Sequence, residues 1–217
     1  LQHAGWMALR SGGRGRAIET TIDPTTQSIL ERIVNHHTAM LPKELDIAVV
    51  LVETATGQIR GLIGSSDPRD RRDGQVNGTT ARRSPGSALK PFIYAAAFEA
   101  GRLSPDSVVD DMPIDISGWR PRNIDREHRG SMSASEALRT SRNIPAILIT
   151  RDLGLDAVEA TLRRSGFQLP TGILTAAGLA SAVGGVEVRA IDLAEGYATL
   201  ARGGVHRPVH LLSDSPS

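Results

Sequence analysis

Arg83-Ser84-Pro85-Gly86-Ser87-Ala88-Leu89-Lys90-Pro91, followed by the apolar run Phe92 to Phe98, decides how this chain folds. It reads as a loop turning into a helix. Pro85 and Gly86 are turn residues. Leu89, Phe92, Ile93, Ala96 and Ala97 recur at the three-and-four spacing of a helix with one buried face. A helical proline clashes with the carbonyl four residues back, so Pro91 predicts a regular helix beginning at about Ser87. That places a hydroxyl at a helix N-terminus, where unpaired amide N–H groups favour developing negative charge. Lys90, three residues on, lies one turn along the same face.

A serine hydroxyl is a poor nucleophile without a base beside it. A lysine becomes that base when burial or a neighbouring cation depresses its pKa. The plain alternative is a capping serine followed by a solvated lysine. Two observations favour the chemical reading. Lys43 and Lys90 are the only lysines among 25 basic residues, so arginine serves nearly everywhere else, and arginine cannot act as a base. Further along, Ser141-Arg142-Asn143-Ile144-Pro145 offers a second hydroxyl and an amide.

Composition sets the limits. At 217 residues the chain is one large domain or two small ones. With 40% hydrophobic but only 3% aromatic residues, the core is built from Ala, Val, Leu and Ile. A net charge of +1 gives no reason to expect nucleic acid or an anionic membrane as partner. The absence of cysteine excludes disulfides and thiolate metal sites without choosing a compartment. Neither a signal peptide nor an apolar run of about 20 residues is present.

Residues 1–18 contain Ser11-Gly12-Gly13-Arg14-Gly15-Arg16 and read as a flexible basic linker from an upstream domain, with residues 19–217 as the folded part. Ile18 to Ile22 alternates like a short strand. Asp23 caps a helix with Pro24 at its first position, Ile29, Leu30, Ile33 and Val34 as its apolar stripe, and Pro42 as its stop. Ile47 to Val52 and Gln58 to Gly64 flank a Thr-Gly turn and form a hairpin. Residues 65–86 are a long polar loop, whose Arg82 and Arg83 are candidates for lowering the Lys90 pKa. Val108 to Asp111 begins an irregular stretch, and 119–130 is a polar loop able to line a groove. Ser133 with Glu136 makes a capping box for a short helix that breaks at Ser141-Arg142-Asn143. Further helices are expected from Pro145 to about Leu153, from Asp156 to Ser165, and from Val188 to Ala201.

Taken together, these residues resemble a known family. Thr21-Ile22-Asp23-Pro24-Thr25-Thr26-Gln27, the hairpin ending at Gly64, Ser84 to Pro91, Pro121-Arg122-Asn123-Ile124-Asp125, Ser141 to Pro145 and Tyr197 to Gly204 stand in the order of a penicillin-binding transpeptidase domain. The Ser-Pro-Gly-Ser lead-in resembles the class A bifunctional enzymes of the penicillin-binding protein 1C type. The resemblance implies an α/β (α+β) fold: an antiparallel sheet flanked by helices, with a helical lobe bearing Ser141 and Asn143. It also implies roles. Ser87 would attack the D-Ala-D-Ala carbonyl of a peptidoglycan stem peptide, and Lys90 would take its proton. Ser141 would pass a proton to the departing D-alanine, and Asn143 would hold the donor amide. An amine of a neighbouring stem would then complete the cross-link, and β-lactams would acylate the same serine. No cofactor or metal is implied. The full-length protein would be anchored on the periplasmic side of the bacterial inner membrane, with a glycosyltransferase domain upstream.

One departure stands out. No Lys-Thr-Gly or Lys-Ser-Gly follows, since the only other lysine is in Lys43-Glu44-Leu45. The chain therefore reads as a C-terminally truncated domain, with an unpaired edge on its sheet and little activity as an isolated polypeptide. Two rivals share the same motifs: a D,D-carboxypeptidase or β-lactamase-like hydrolase, and a non-catalytic β-lactam sensor.

Overall fold

The computed structural model describes residues 2–12, 18–42, 44–70, 72 and 74–213. In chain order the elements are α1 (Gln2–Arg10), α2 (Pro24–Thr38), β1 (Val49–Val52), β2 (Ile59–Ile63), β3 (Arg82–Arg83), α3 (Lys90–Glu99), β4 (Val108–Asp111) and β5 (Gly130–Ser133). There follow α4 (Ala134–Arg139), α5 (Asn143–Leu153), α6 (Leu155–Arg164), α7 (Ile173–Ala177), β6 (Val188–Arg189) and α8 (Ala190–Ala201). Two 3₁₀ turns, Gly86–Leu89 and Gly178–Val183, lead into α3 and out of α7. The chain divides into two units, one made of residues 1–83, 165–168 and 188–217, the other of 84–164 and 169–187.

In the first unit, β1 and β2 pair antiparallel, Val49 opposite Ile63 and Leu51 opposite Gly61, as the flanking apolar runs require. Ile59 and Leu62 on β2 meet Ala4 and Ala8 of α1, Ile191 of α8 and Leu211 in one apolar cluster. α2 starts as expected, with Asp23 Oδ1 accepting from the Thr26 N–H at 2.7 Å. Its inward face differs from the expected stripe. Val34 is buried, but Ile29 and Ile33 are exposed and Gln27 is buried in their place. Gln27 accepts from the Leu62 N–H at 2.9 Å and donates to the Leu62 carbonyl at 3.2 Å, so it pairs the outer edge of β2. Gln27 thus occupies the outer edge of β2 at Leu62, while β1 pairs with no strand but β2 among the described residues.

Other expectations for this unit need correcting. Residues 2–10, read as part of a flexible linker, form α1, and Ala4 and Ala8 bury against β2 because an i, i+4 pair of small residues allows close approach. The glycine-arginine run at 13–17 lies outside the described residues, as does Lys43. The strand expected at 18–22 is reduced to a single bridge between Thr20 and Leu212. α8 begins at Ala190 rather than Val188, because Val188 and Arg189 are drawn into a ladder with Arg83 and Arg82.

In the second unit, α3 is apolar nearly all round and lies against α4, α5 and α6. Phe92, Ile93, Tyr94 and Ala97 from α3 and Ile144, Ala146 and Ile147 from α5 are buried there. The stretch Val108–Asp111, expected to be irregular, is a strand paired with Gly130–Ser133. Periodicity could not reveal this pair, because a long polar loop separates two short, half-polar strands. Ser133 does cap α4, accepting from the Glu136 N–H at 3.1 Å. The Glu136 carboxylate turns to Arg139 instead of closing the capping box. Among the described residues, no helix is long and apolar enough to cross a membrane.

Candidate active site

Ser87, Lys90, Ser141 and Asn143 all belong to the second unit. The α-helix expected from Ser87 begins at Lys90, and Ser87 sits instead on the 3₁₀ turn before it. Pro91 has no N–H and disfavours an α-turn behind it, so the turn tightens and the Lys90 N–H bonds to the Ser87 carbonyl three residues back. In a 3₁₀ turn, positions i and i+3 eclipse one another. The tighter turn therefore sets Ser87 and Lys90 on one face. Two glycines make room for it: Gly86 has φ +54°, and Gly184 has φ +97° with no space for a side chain, since a Cβ there would lie 2.6 Å from the Gly86 Cα. Ser84 ties the lead-in down by donating to the Gly184 carbonyl at 2.7 Å.

Lys90 is the most unusual side chain in the molecule. It is only 1% exposed, although it ends in an ammonium. Its Nζ donates to the Ser141 carbonyl at 2.5 Å, to Ser141 Oγ at 3.1 Å and to Asn143 Oδ1 at 2.7 Å. Three donors meet three acceptors, which is what a buried ammonium needs. Burial, and after it the cationic Arg142, lower its pKa to about 8. The cation that acts on Lys90 is Arg142, in place of the Arg82 or Arg83 expected from the sequence. Among the described residues Ser87 Oγ makes no hydrogen bond, so the hydroxyl is free to meet a ligand.

The turn that receives Lys90 is held in an unfavourable backbone state. Ser141 has φ +56°, a left-handed conformation that a side chain disfavours. Behind it lies a buried polar cluster with Arg142 at its centre. Arg142 Nε donates to Asp111 Oδ2 at 2.7 Å and Nη1 to Asp125 Oδ2 at 2.6 Å. Asn123 donates to Asp111 Oδ1 at 2.7 Å and accepts from the Asn143 N–H at 2.7 Å. Sequence reasoning marked Pro121 to Asp125 as a motif without a role for it, and nothing in the sequence singled out Asp111. Tyr94, one turn beyond Lys90 on α3, is fully buried with no partner for its hydroxyl among the described residues. Burial and the nearby Asp111 carboxylate push its pKa far up, so it stays neutral.

The chain as a whole resembles known proteins. The penicillin binding protein transpeptidase domain matches residues 47–216, and the chain belongs to that family. Penicillin-binding protein 1C of Escherichia coli K12 is 35% identical over 202 residues, which cover 92% of this chain and 26% of that protein. Penicillin-binding protein 1A of Neisseria flavescens is 33% identical over 172 residues, covering 76% of this chain and 21% of its own length. The chain thus spans about a quarter of the length of the curated relatives it matches. Among solved structures, the penicillin-binding protein PonA1 from Mycobacterium tuberculosis superposes with a TM-score of 0.80 at 26% identity, covering 90% of this chain and 52% of that one. PonA1 has also been solved in complex with penicillin V. The mixed helix-and-sheet fold and the likeness to class A enzymes of the 1C type both stand.

Proposed function

We propose that this domain is a serine D,D-transpeptidase that cross-links peptidoglycan stem peptides and is acylated by β-lactams. The observation that carries the reading is the buried Lys90, its pKa lowered to about 8, bound to Ser141 and Asn143 and eclipsed with Ser87 on the turn before it. At pH 7 a group with that pKa is neutral roughly a tenth of the time, enough to serve as a base without prior activation. Ser87 Oγ adds to the carbonyl carbon of the penultimate D-alanine while Lys90 Nζ takes the hydroxyl proton. The Ser87 N–H, at the open start of the turn, stabilises the oxyanion. The C–N bond then breaks, and Ser141 passes a proton to the departing D-alanine amine, replaced in turn from Lys90. An acceptor amine attacks the resulting ester, the new amide forms, and the proton it loses restores the Ser87 hydroxyl. The Asn143 amide holds the donor backbone.

By the same reading, the domain works on the periplasmic side of the inner membrane within a longer, anchored protein that carries a glycosyltransferase domain. The 217-residue stretch by itself should have little activity, because it contains no Lys-Thr-Gly or Lys-Ser-Gly to clamp the substrate carboxylate. The full-length protein should be labelled covalently by a fluorescent penicillin. Ser87→Ala should abolish labelling, and Lys90→Ala should slow it by at least about a hundredfold. Labelling that survives Ser87→Ala overturns the assignment. Hydrolysis of a stem peptide without transfer to an added amine would make the domain a carboxypeptidase.

A further inference from the structure

We propose that Arg142, Asp111 and Asn123 form a positioning device for acyl transfer, which holds the Ser141–Asn143 turn against Lys90 in the geometry the reaction uses. The proposal rests on the reading that Ser87 and Lys90 carry the chemistry. It assigns a role to the Pro121 to Asp125 motif and to the middle residue of the Ser-x-Asn element.

The geometry gives each member a distinct task. Arg142 lies between the two residues that accept from Lys90, and its side chain turns inward to 3% exposure. Its planar fork is filled by Asp111, by Asp125 and by the Glu127 carbonyl at 2.5 Å, which fixes the residue between Ser141 and Asn143 in orientation as well as position. A left-handed serine persists only where its surroundings over-determine it, and this fork supplies that constraint. Asn123 acts on the other side of the turn. Its Oδ1 takes the Asn143 backbone N–H, and the neighbouring Arg122 carbonyl takes Asn143 Nδ2 at 2.8 Å. With its amide nitrogen held there, Asn143 must present Oδ1 to Lys90. Asp111 ties the two halves together, taking Arg142 and the Arg129 N–H on one oxygen and Asn123 on the other.

The cluster also brings a permanent charge near the base. The ionisable groups at the turn that receives Lys90 are Arg142, the carboxylates Asp111 from β4 and Asp125 from the 119–130 loop that pair with it, and Tyr94 one turn beyond Lys90 on α3. Arg142 is the one whose charge acts on Lys90, and it favours the neutral amine. A merely structural cluster would alter stability alone. A positioning cluster alters the rate and pH dependence of acylation in protein that is still folded.

The test measures Ser87 acylation by a fluorescent penicillin in the full-length protein, separating the first-order acylation rate from the non-covalent dissociation constant across pH. Asp111→Asn combined with Arg142→Gln removes the ion pair without leaving a lone buried charge. This double variant should raise the pH midpoint of acylation by at least about half a unit, because the cation beside Lys90 is gone. Asn123→Ala leaves the ion pair in place. It should lower the acylation rate at least about tenfold, with dissociation constant and midpoint unchanged. Should the double variant fail to fold, Asn123→Ala decides alone. Folded variants that keep the parent's midpoint, with rates within about twofold, overturn the proposal. If Ser87→Ala protein is still labelled, the underlying reading has failed and this one falls with it. Labelling strictly dependent on Ser87, with unshifted variants, overturns this inference alone.

Discussion

At the scale of single residues, the proposed chemistry turns on the protonation of Lys90. Burial lowers its pKa from 10.5 to about 8, so the folded state binds fewer protons than the unfolded chain between those values. The stability it contributes is fully present above about pH 10.5 and is lost as pH falls through about 8. The stability of the parent relative to Lys90→Met should therefore rise by on the order of 2 kcal/mol between those two pH values, read as the difference in their unfolding free energies. Acylation follows the same ionisation. Its rate should climb about tenfold per pH unit towards pH 8 and then level off, since only the neutral amine accepts the Ser87 proton. A rate independent of pH over that range would remove Lys90 from the role of base.

Among the elements, the decisive one is the 3₁₀ turn that presents Ser87. Pro91 was legible as a break in the helix, but the sequence placed the α-helical start at Ser87 instead of Lys90. A proline says where regular α bonding fails, not which tighter turn replaces it. What allows this turn is Gly184, a hundred residues from Ser84, whose missing side chain lets the backbone at Gly86 come close. Gly184→Ala adds both a collision and a disfavoured φ, and should destabilise the protein by about 2 kcal/mol. It should also slow penicillin labelling more than it changes the melting temperature, because the displaced segment carries Ser87, the proposed nucleophile. α2 gives the matching lesson in the first unit. Its cap at Asp23 could be read locally, whereas Gln27 turned out to face inward because the edge of β2 needed a donor and an acceptor.

Over the whole molecule, charge is plentiful but contributes stability in few places. Pairs such as Arg72–Asp70, Arg120–Asp115, Arg139–Glu136 and Arg164–Glu99 lie at the surface, where each is worth at most about 1 kcal/mol and is screened by salt. Arg142 with Asp111 is buried, and removing one partner alone strands the other charge. Raising salt from roughly 0.1 to about 1 M should change the unfolding free energy by less than about 1 kcal/mol. Arg142→Met should lower it by about 3–5 kcal/mol, as denaturant melts would show. Equal sensitivity to both would mean that the buried pair carries no more than the surface ones.

Neighbours along the chain were enough to set the β1–β2 hairpin, the capped α2, the helix that follows the Ser87-x-x-Lys90 stretch, and the break between α4 and α5. Their causes are turn chemistry, capping and periodicity, which act over a few residues. Tertiary structure alone decided that Lys90 is buried, that it meets Ser141 and Asn143 from across the chain, and that Arg142 closes on Asp111 behind them. Burial and charge pairing depend on which surfaces come together in space, and no local pattern encodes the partner of a buried charge.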